Sequence, residues 1–254
     1  MQKICRTLAG LAFVVIGSSA ALAQVPNAGS PSCSLPASVV NHIQNELATV
    51  VNFPDNNGGL FAPHPNQMWS AIVDRTGHLC SVIKIGDAWP GSRDIAIAKA
   101  STANDFSNQL FALSTANLFA ATQPGGSLYG LNNSNPFAPV FNAQGTGIGW
   151  VPGGIITFGG GVPLYQNGQV IGGLGVSGDS SCADHAIAFR MRKLAGFDGT
   201  PAGPNGSGAG ADNIIYPPTT LDILGPPQAP GFWQPHCSAN DLTPQQIATI
   251  PPVT

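Results

Sequence analysis

Thr157-Phe-Gly-Gly-Gly-Val-Pro-Leu-Tyr-Gln-Asn-Gly-Gln-Val-Ile-Gly-Gly-Leu-Gly-Val-Ser-Gly178 decides the fold. Ile155 to Phe158 and Val162 to Tyr165 read as strands, and Asn167-Gly168 supplies the positive φ angles of a two-residue hairpin turn. Val170 to Val176 returns as the partner strand, interrupted by Gly172, Gly173 and Gly175. Side chains have been removed wherever something approaches the main chain. Gly159, Gly160 and Gly161 therefore admit two readings. One is a bare wall for a flat ligand, with amides open to acidic groups; the other is a bend that packs tightly on a helix or subunit.

Outward from this hairpin, the chain alternates helices and strands. Ser181 with Asp184 three residues on resembles a capping box for a helix to about Leu194, which Gly196 stops. Upstream, Val39, Val40, Ile43, Leu47, Val50 and Val51 recur on one helical face after Pro36. Met68 to Val73 and His78 to Ile85 flank the turn Asp74-Arg75-Thr76-Gly77, a second hairpin. Ser92 opens a helix to Phe106 whose Ala96, Ala98, Ala100 and Ala103 permit close approach of another backbone. A short helix spans about Thr115 to Thr122. Residues 123–153 form an inserted loop rich in Gly, Asn and Pro, and 198–254 form a Pro/Gly-rich C-terminal extension unable to build a core of its own. The fold class is α/β, with one domain over 34–197.

The first 23 residues have a basic start (Lys3, Arg6), a short apolar run and Ala21-Leu22-Ala23, the pattern of a secretory signal peptide. The expected product is periplasmic or secreted, with no membrane span. Beyond the leader, seven basic residues face twelve acidic ones, so no basic nucleic-acid footprint exists. Only 8% of the chain is charged, against the ~25% usual in soluble domains, which points to a covered surface and a homo-oligomer. Cys33, Cys80, Cys182 and Cys237 read as two disulfides with three possible pairings.

The order "VDRTGH", "GDAWPGSRDIAIAKASTANDF" and "FGGGVPLYQNGQVIGGLGVSG" resembles the GlcG/HbpS haem-binding (haem-degrading) family, to which the PduO C-terminal domain is related. The resemblance covers roughly Val39 to Leu194. It implies an antiparallel sheet flanked by helices, oligomeric assembly, and haem, whose iron needs an axial ligand and whose propionates need donors. The insertion, the cysteines and the extension depart from the family pattern.

Among the imidazoles, His64, His78 and His185 are candidate haem residues, His78 and His185 as iron ligands; His42 and His236 read as surface and tail residues. Arg93 and Lys99 could meet propionates. Ser114 and Thr115 fall where the resemblance places a cleft. Phe158, with Trp69 and Trp89, could stack on a porphyrin beside Gly159, Gly160 and Gly161. No Ser-His-Asp order, catalytic carboxylate pair or HExxH motif is present, so enzymatic activity stays open. The alternative is a non-enzymatic oligomeric scaffold or small-molecule module, for a cobalamin-related or small-acid ligand.

Overall fold

A computed structural model describes residues 32–61, 66–217 and 231–253. The leader and His64 lie outside them. Helix α1 (Ala37–Val50) precedes strands β1 (Trp69–Asp74) and β2 (Leu79–Lys84) and helix α2 (Ser92–Asp105). A 3-10 turn (Thr115–Leu118) runs into the short helix α3 (Phe119–Thr122). Strands β3 (Gly161–Gln166) and β4 (Gln169–Ser177) and helix α4 (Ser181–Leu194) complete the domain. The sheet is antiparallel, in the order β2-β1-β4-β3.

Alternation along the strands sorts side chains between two helical layers. Met68, Ile72, Val162, Leu164, Leu174 and Val176 meet Val40, Ile43, Leu47 and Val50 of α1 and Ile187, Ala188 and Met191 of α4 in the main core. Trp69, Ala71 and Val73 face the other way, against Ala96, Ile97 and Ala100 of α2.

Opposite Ala71 and Val73 on that second face, β4 presents only Gly175 and Gly173. A Cβ on Gly175 would overlap the Ala96 carbonyl, and one on Gly173 the Ala100 carbonyl. Helix α2 thus lies with its main chain directly on the main chain of β4. The Ala-rich helix and the Gly-rich strand are two halves of one steric fit.

The outer side of α2 is covered as well. Arg93 donates to the Phe141 (2.7 Å) and Thr146 (2.6 Å) carbonyls of the inserted segment, and Ile156 N donates to Thr102 Oγ1 (2.9 Å). Ile155 to Phe158, expected as a strand, therefore lies outside the sheet, whose strand β3 begins at Gly161. Enclosure on both sides explains a helix with nearly continuous burial and little amphipathic character.

The sheet edges are also managed. Pro163 sits on edge strand β3, where its missing N–H breaks no ladder bond, and Arg192 donates to its carbonyl (3.0 Å). At β2, Leu79 exchanges backbone bonds with Gly149 and Trp150 (2.7 and 2.8 Å).

Both disulfides tie peripheral chain to the domain: Cys33–Cys80 fixes the N-terminal segment to β2, and Cys182–Cys237 fixes the extension to α4. The extension packs Ile214, Leu242 and Ile247 onto Cys182, Ala186 and Phe189 of α4. Buried Arg192 and Asp212 join it to α4 through a two-pronged pair (2.6 and 2.7 Å). The extension's described residues build no separate core and pack on α4 instead.

Gly175→Ala should destabilise the protein by about 3 kcal/mol, the upper end for overpacking, because backbone must move. Gly168→Ala, where the space is open but φ is +73°, should cost about 1–2 kcal/mol. Urea denaturation of both variants checks the order; equal losses would contradict the close-approach account.

Candidate functional site

The glycine triad sits where α2, α4 and the extension converge, and its amides are already engaged. Gly159 N donates to the Gln234 side chain and Gly161 N to Thr115 Oγ1 (2.8 Å). A Cβ on Gly160 would lie 2.7 Å from Lys99 Nζ, and one on Gly159 would overlap the Ser181 carbonyl. The flat-ligand wall expected along 159–178 is thus filled by protein. The packing reading of these glycines is the one observed, because α2 and the start of α4 occupy the space.

Lys99 and Phe158 belong to this filled centre. Lys99, fully buried, donates to Asp184 Oδ2 (2.7 Å) and to the Val176 carbonyl (3.1 Å), and its ammonium lies 4.9 Å from the Phe158 ring centre. Asp184 also accepts from the Gly178 and Asp179 amides (3.1 and 3.0 Å). The helix cap expected from Ser181 and Asp184 is instead Ser180, which accepts from Ala183 N, leaving Asp184 free to reach back to Lys99. Burial pushes the Asp184 carboxyl up to about 6 against the pull of Lys99, and pushes the Lys99 ammonium down. This is a structural ion pair, closed to propionates.

Other expected donors are similarly committed. Arg93 is buried on the inserted loop. Ser114 and Asn117 form a capping box, and Thr115 is buried against Gly161. Trp69 is core, its indole donating to the Trp89 carbonyl (2.9 Å), whereas Trp89 is exposed beside Phe61. His42 is exposed on α1, and His236 stacks on Tyr216 in the extension.

His185, expected as an iron ligand, is fully buried. Its Nε2 accepts from Ile214 N (3.1 Å) and faces Asn213 Oδ1 (3.1 Å). Burial depresses its pKa to about 4. The imidazole is a neutral core residue under the extension, and no external ligand reaches it.

His78 is different. Asp74 Oδ2 accepts from Ser34 N (2.7 Å) and Ser34 Oγ (2.9 Å), while Oδ1 accepts from Thr76 N (2.9 Å) and His78 N (3.0 Å). Burial alone would raise the Asp74 pKa; these bonds outweigh it and hold the carboxyl below the usual range. The ionised carboxylate has no proton to give, so Thr76 Oγ1, 2.8 Å away, must donate to it. The threonine oxygen then accepts from His78 Nδ1 at 2.8 Å.

This relay assigns the tautomer. Neutral His78 carries its hydrogen on Nδ1, and the Nε2 lone pair is free, on a side chain 32% exposed. The inserted segment passes beside it. A Cβ on Gly77 would touch Val151, and Ile148, Trp150 and Val151 are exposed apolar residues there. Among the described residues, His78 alone of the expected iron ligands combines an oriented imidazole with solvent access. The Asp-x-Thr-x-His spacing carried that signal, whereas Asn213 and Gln234 lie too far along the chain to be read as partners of the core.

The HbpS-like family, described as haem degrading protein HbpS-like, matches residues 63–192, half of the chain, and the protein belongs to that family. A 15.0 kDa protein from the dhaT–dhaS intergenic region of Citrobacter freundii is 34% identical over 118 residues, 46% of this chain and 68% of that protein. The corrinoid adenosyltransferase PduO of C. freundii is 35% identical over 120 residues, 46% of this chain but 29% of the enzyme's length. The crystal structure of a PduOC–heme complex is similar at 26% identity and a TM-score of 0.46, covering 63% of this chain and 93% of that one.

The pH dependence of stability should separate two buried groups. His185, with its pKa lowered from 6.5, stabilises fully above pH 6.5, and that contribution is lost as pH falls towards 4. Asp184, with its pKa raised, has the opposite slope between about pH 6 and 4. The two therefore partly cancel in the native protein. Against a His185→Gln variant, the native advantage should shrink by about 3 kcal/mol between pH 7 and pH 4, measured by urea denaturation. A pH-independent difference would contradict a buried neutral imidazole.

Proposed function

We propose that this is an exported haem-binding protein that stores or degrades haem, working as a homo-oligomer. Membership of the HbpS-like family over residues 63–192 is the observation that carries the reading. The amino-terminal signal pattern supports export, and the low charge supports association. Among the described residues, no helix is long and apolar enough to cross a membrane.

The chain's own chemistry fits haem at the Asp74–Thr76–His78 turn and does not fit it along the glycine hairpin. At the turn, Asp74 and Thr76 hold the His78 ring in the tautomer that leaves Nε2 unprotonated, as an iron ligand requires. Ile148, Trp150 and Val151 offer apolar surface for a porphyrin face. Bound haem would supply the iron-centred oxygen chemistry of a degrading protein, with the polypeptide binding and orienting it.

The alternative is a small-acid module. It draws on an open cleft of about 400 Å3 lined by Arg75, Asn108, Gln109, Leu110, Gln169 and Val170. Arg75 already donates twice to Asn104 there (2.6 and 3.1 Å), which weakens that reading.

Haemin titration followed at the Soret band tests the proposal. The native protein should give a saturable shift. His78→Ala should weaken binding at least tenfold and change the band position, whereas His185→Gln should bind as the native protein does. Absence of a saturable shift in the native protein would overturn haem binding. An unchanged spectrum in His78→Ala would remove the turn as its site.

A further inference from the structure

The C-terminal extension crosses the glycine triad as a strap. From Gly231 to Leu242 it has no helix or strand of its own. Its backbone is held by Ala120 N to the Trp233 carbonyl (3.2 Å) and Gln234 N to the Ile215 carbonyl (3.0 Å). Gln234, buried, does the sealing: its side-chain oxygen accepts from Gly159 N, and its Nε2 donates to Ser181 Oγ (2.9 Å).

Behind Gly159 and Gly160 lies the buried Lys99–Asp184 pair. Beyond the strap, Arg190 donates to the Gln246 (2.9 Å), Ile247 (3.2 Å) and Thr249 (3.2 Å) carbonyls, and Lys193 reaches that of Ala248. The chain end is therefore anchored independently of the strap. Between the two anchorages stands one covalent link, Cys182–Cys237.

Its two cysteines differ in exposure. Cys182 is buried at 2% exposure in the first turn of α4, whereas Cys237 is partly exposed. An incoming thiolate therefore meets Cys237 first. The displaced Cys182 thiolate sits at the positive end of a helix, which favours it as the leaving group.

We propose that Cys182–Cys237 is a thiol-reducible latch whose opening lifts the Gln234 strap from the glycine triad and admits solvent to the Lys99–Asp184 centre, while Arg190 and Lys193 retain the chain end. The reductant is a dithiol. One of its sulfurs forms a mixed disulfide with Cys237 as the Cys182 thiolate departs and takes up a proton. Its second thiol then displaces Cys237 and leaves as a cyclic disulfide. Two electrons and two protons pass to the protein. Opening is local because the strap has few backbone bonds, whereas β1, β4 and α2 are held by the full sheet and core. The latch goes beyond haem binding and does not depend on it.

Hydrogen exchange by mass spectrometry on the full oxidised chain, with and without dithiothreitol, tests the latch. Reduction should raise exchange at residues 157–161 at least tenfold, open Cys182 to alkylation by iodoacetamide, and leave β1 and α2 protected. The double variant Cys182→Ser/Cys237→Ser should show the same exchange without reductant, and Cys33→Ser/Cys80→Ser should not. Unchanged exchange at 157–161 after complete reduction, or uniform loss of protection across β1 and α2, overturns the latch. Haemin binding measured in parallel reports on the turn at His78 separately.

Discussion

The contact between the main chains of α2 and β4 governs this structure. Gly173 and Gly175 let the Ala96 and Ala100 carbonyls rest on the sheet, at a distance no side chain would permit. Once the helix is so close, one sheet face is closed, and Lys99 is carried inward to where only Asp184, the Val176 carbonyl and the Phe158 ring can receive its charge. The glycine triad then turns over this ion pair with no side chains to displace it. Packing thereby fixes where a ligand cannot lie.

Two irregular segments complete the enclosure. The 123–153 segment clamps the outer side of α2 through Arg93, and the C-terminal segment covers α4 through Arg192–Asp212, Arg190 and Gln234. A chain with so few charges spends several of its cations inside, as hooks for loops that lack regular structure. Arg93 and Arg190 satisfy backbone carbonyls that these segments leave unpaired, and Arg192 holds the Asp212 carboxylate.

Much of the fold was legible in the sequence. The periodicity of Val40, Ile43 and Leu47, the Asn167-Gly168 turn, and the small residues of Ala96–Ala103 and Gly172–Gly175 that permit close approach each have one local cause; which helix meets which strand does not. The strand expected at Ile155–Phe158 does not form, because an apolar run does not reveal that Thr102 rather than a neighbouring strand receives its amide. The candidate site was less legible. His185 and His78 both look like possible ligands in one dimension. Asn213 and Ile214, nearly 30 residues away, bury the first, while Thr76 and Asp74, within four residues, orient the second. Arg93 and Lys99 read as free cations for the same reason: the Phe141 and Thr146 carbonyls and the Asp184 carboxylate that receive them are remote in sequence. The disulfide pairing was undetermined from spacing and follows from which strand and helix the terminal segments cross.

Hydrogen exchange of the oxidised protein with and without haemin distinguishes a ligand at the turn from one at the glycine hairpin. Haemin should add protection at residues 74–78 and 148–151 and leave 157–178 unchanged, because that region is already closed by protein. Protection appearing along 157–178, with none at the Asp74–His78 turn, would contradict a site at the turn.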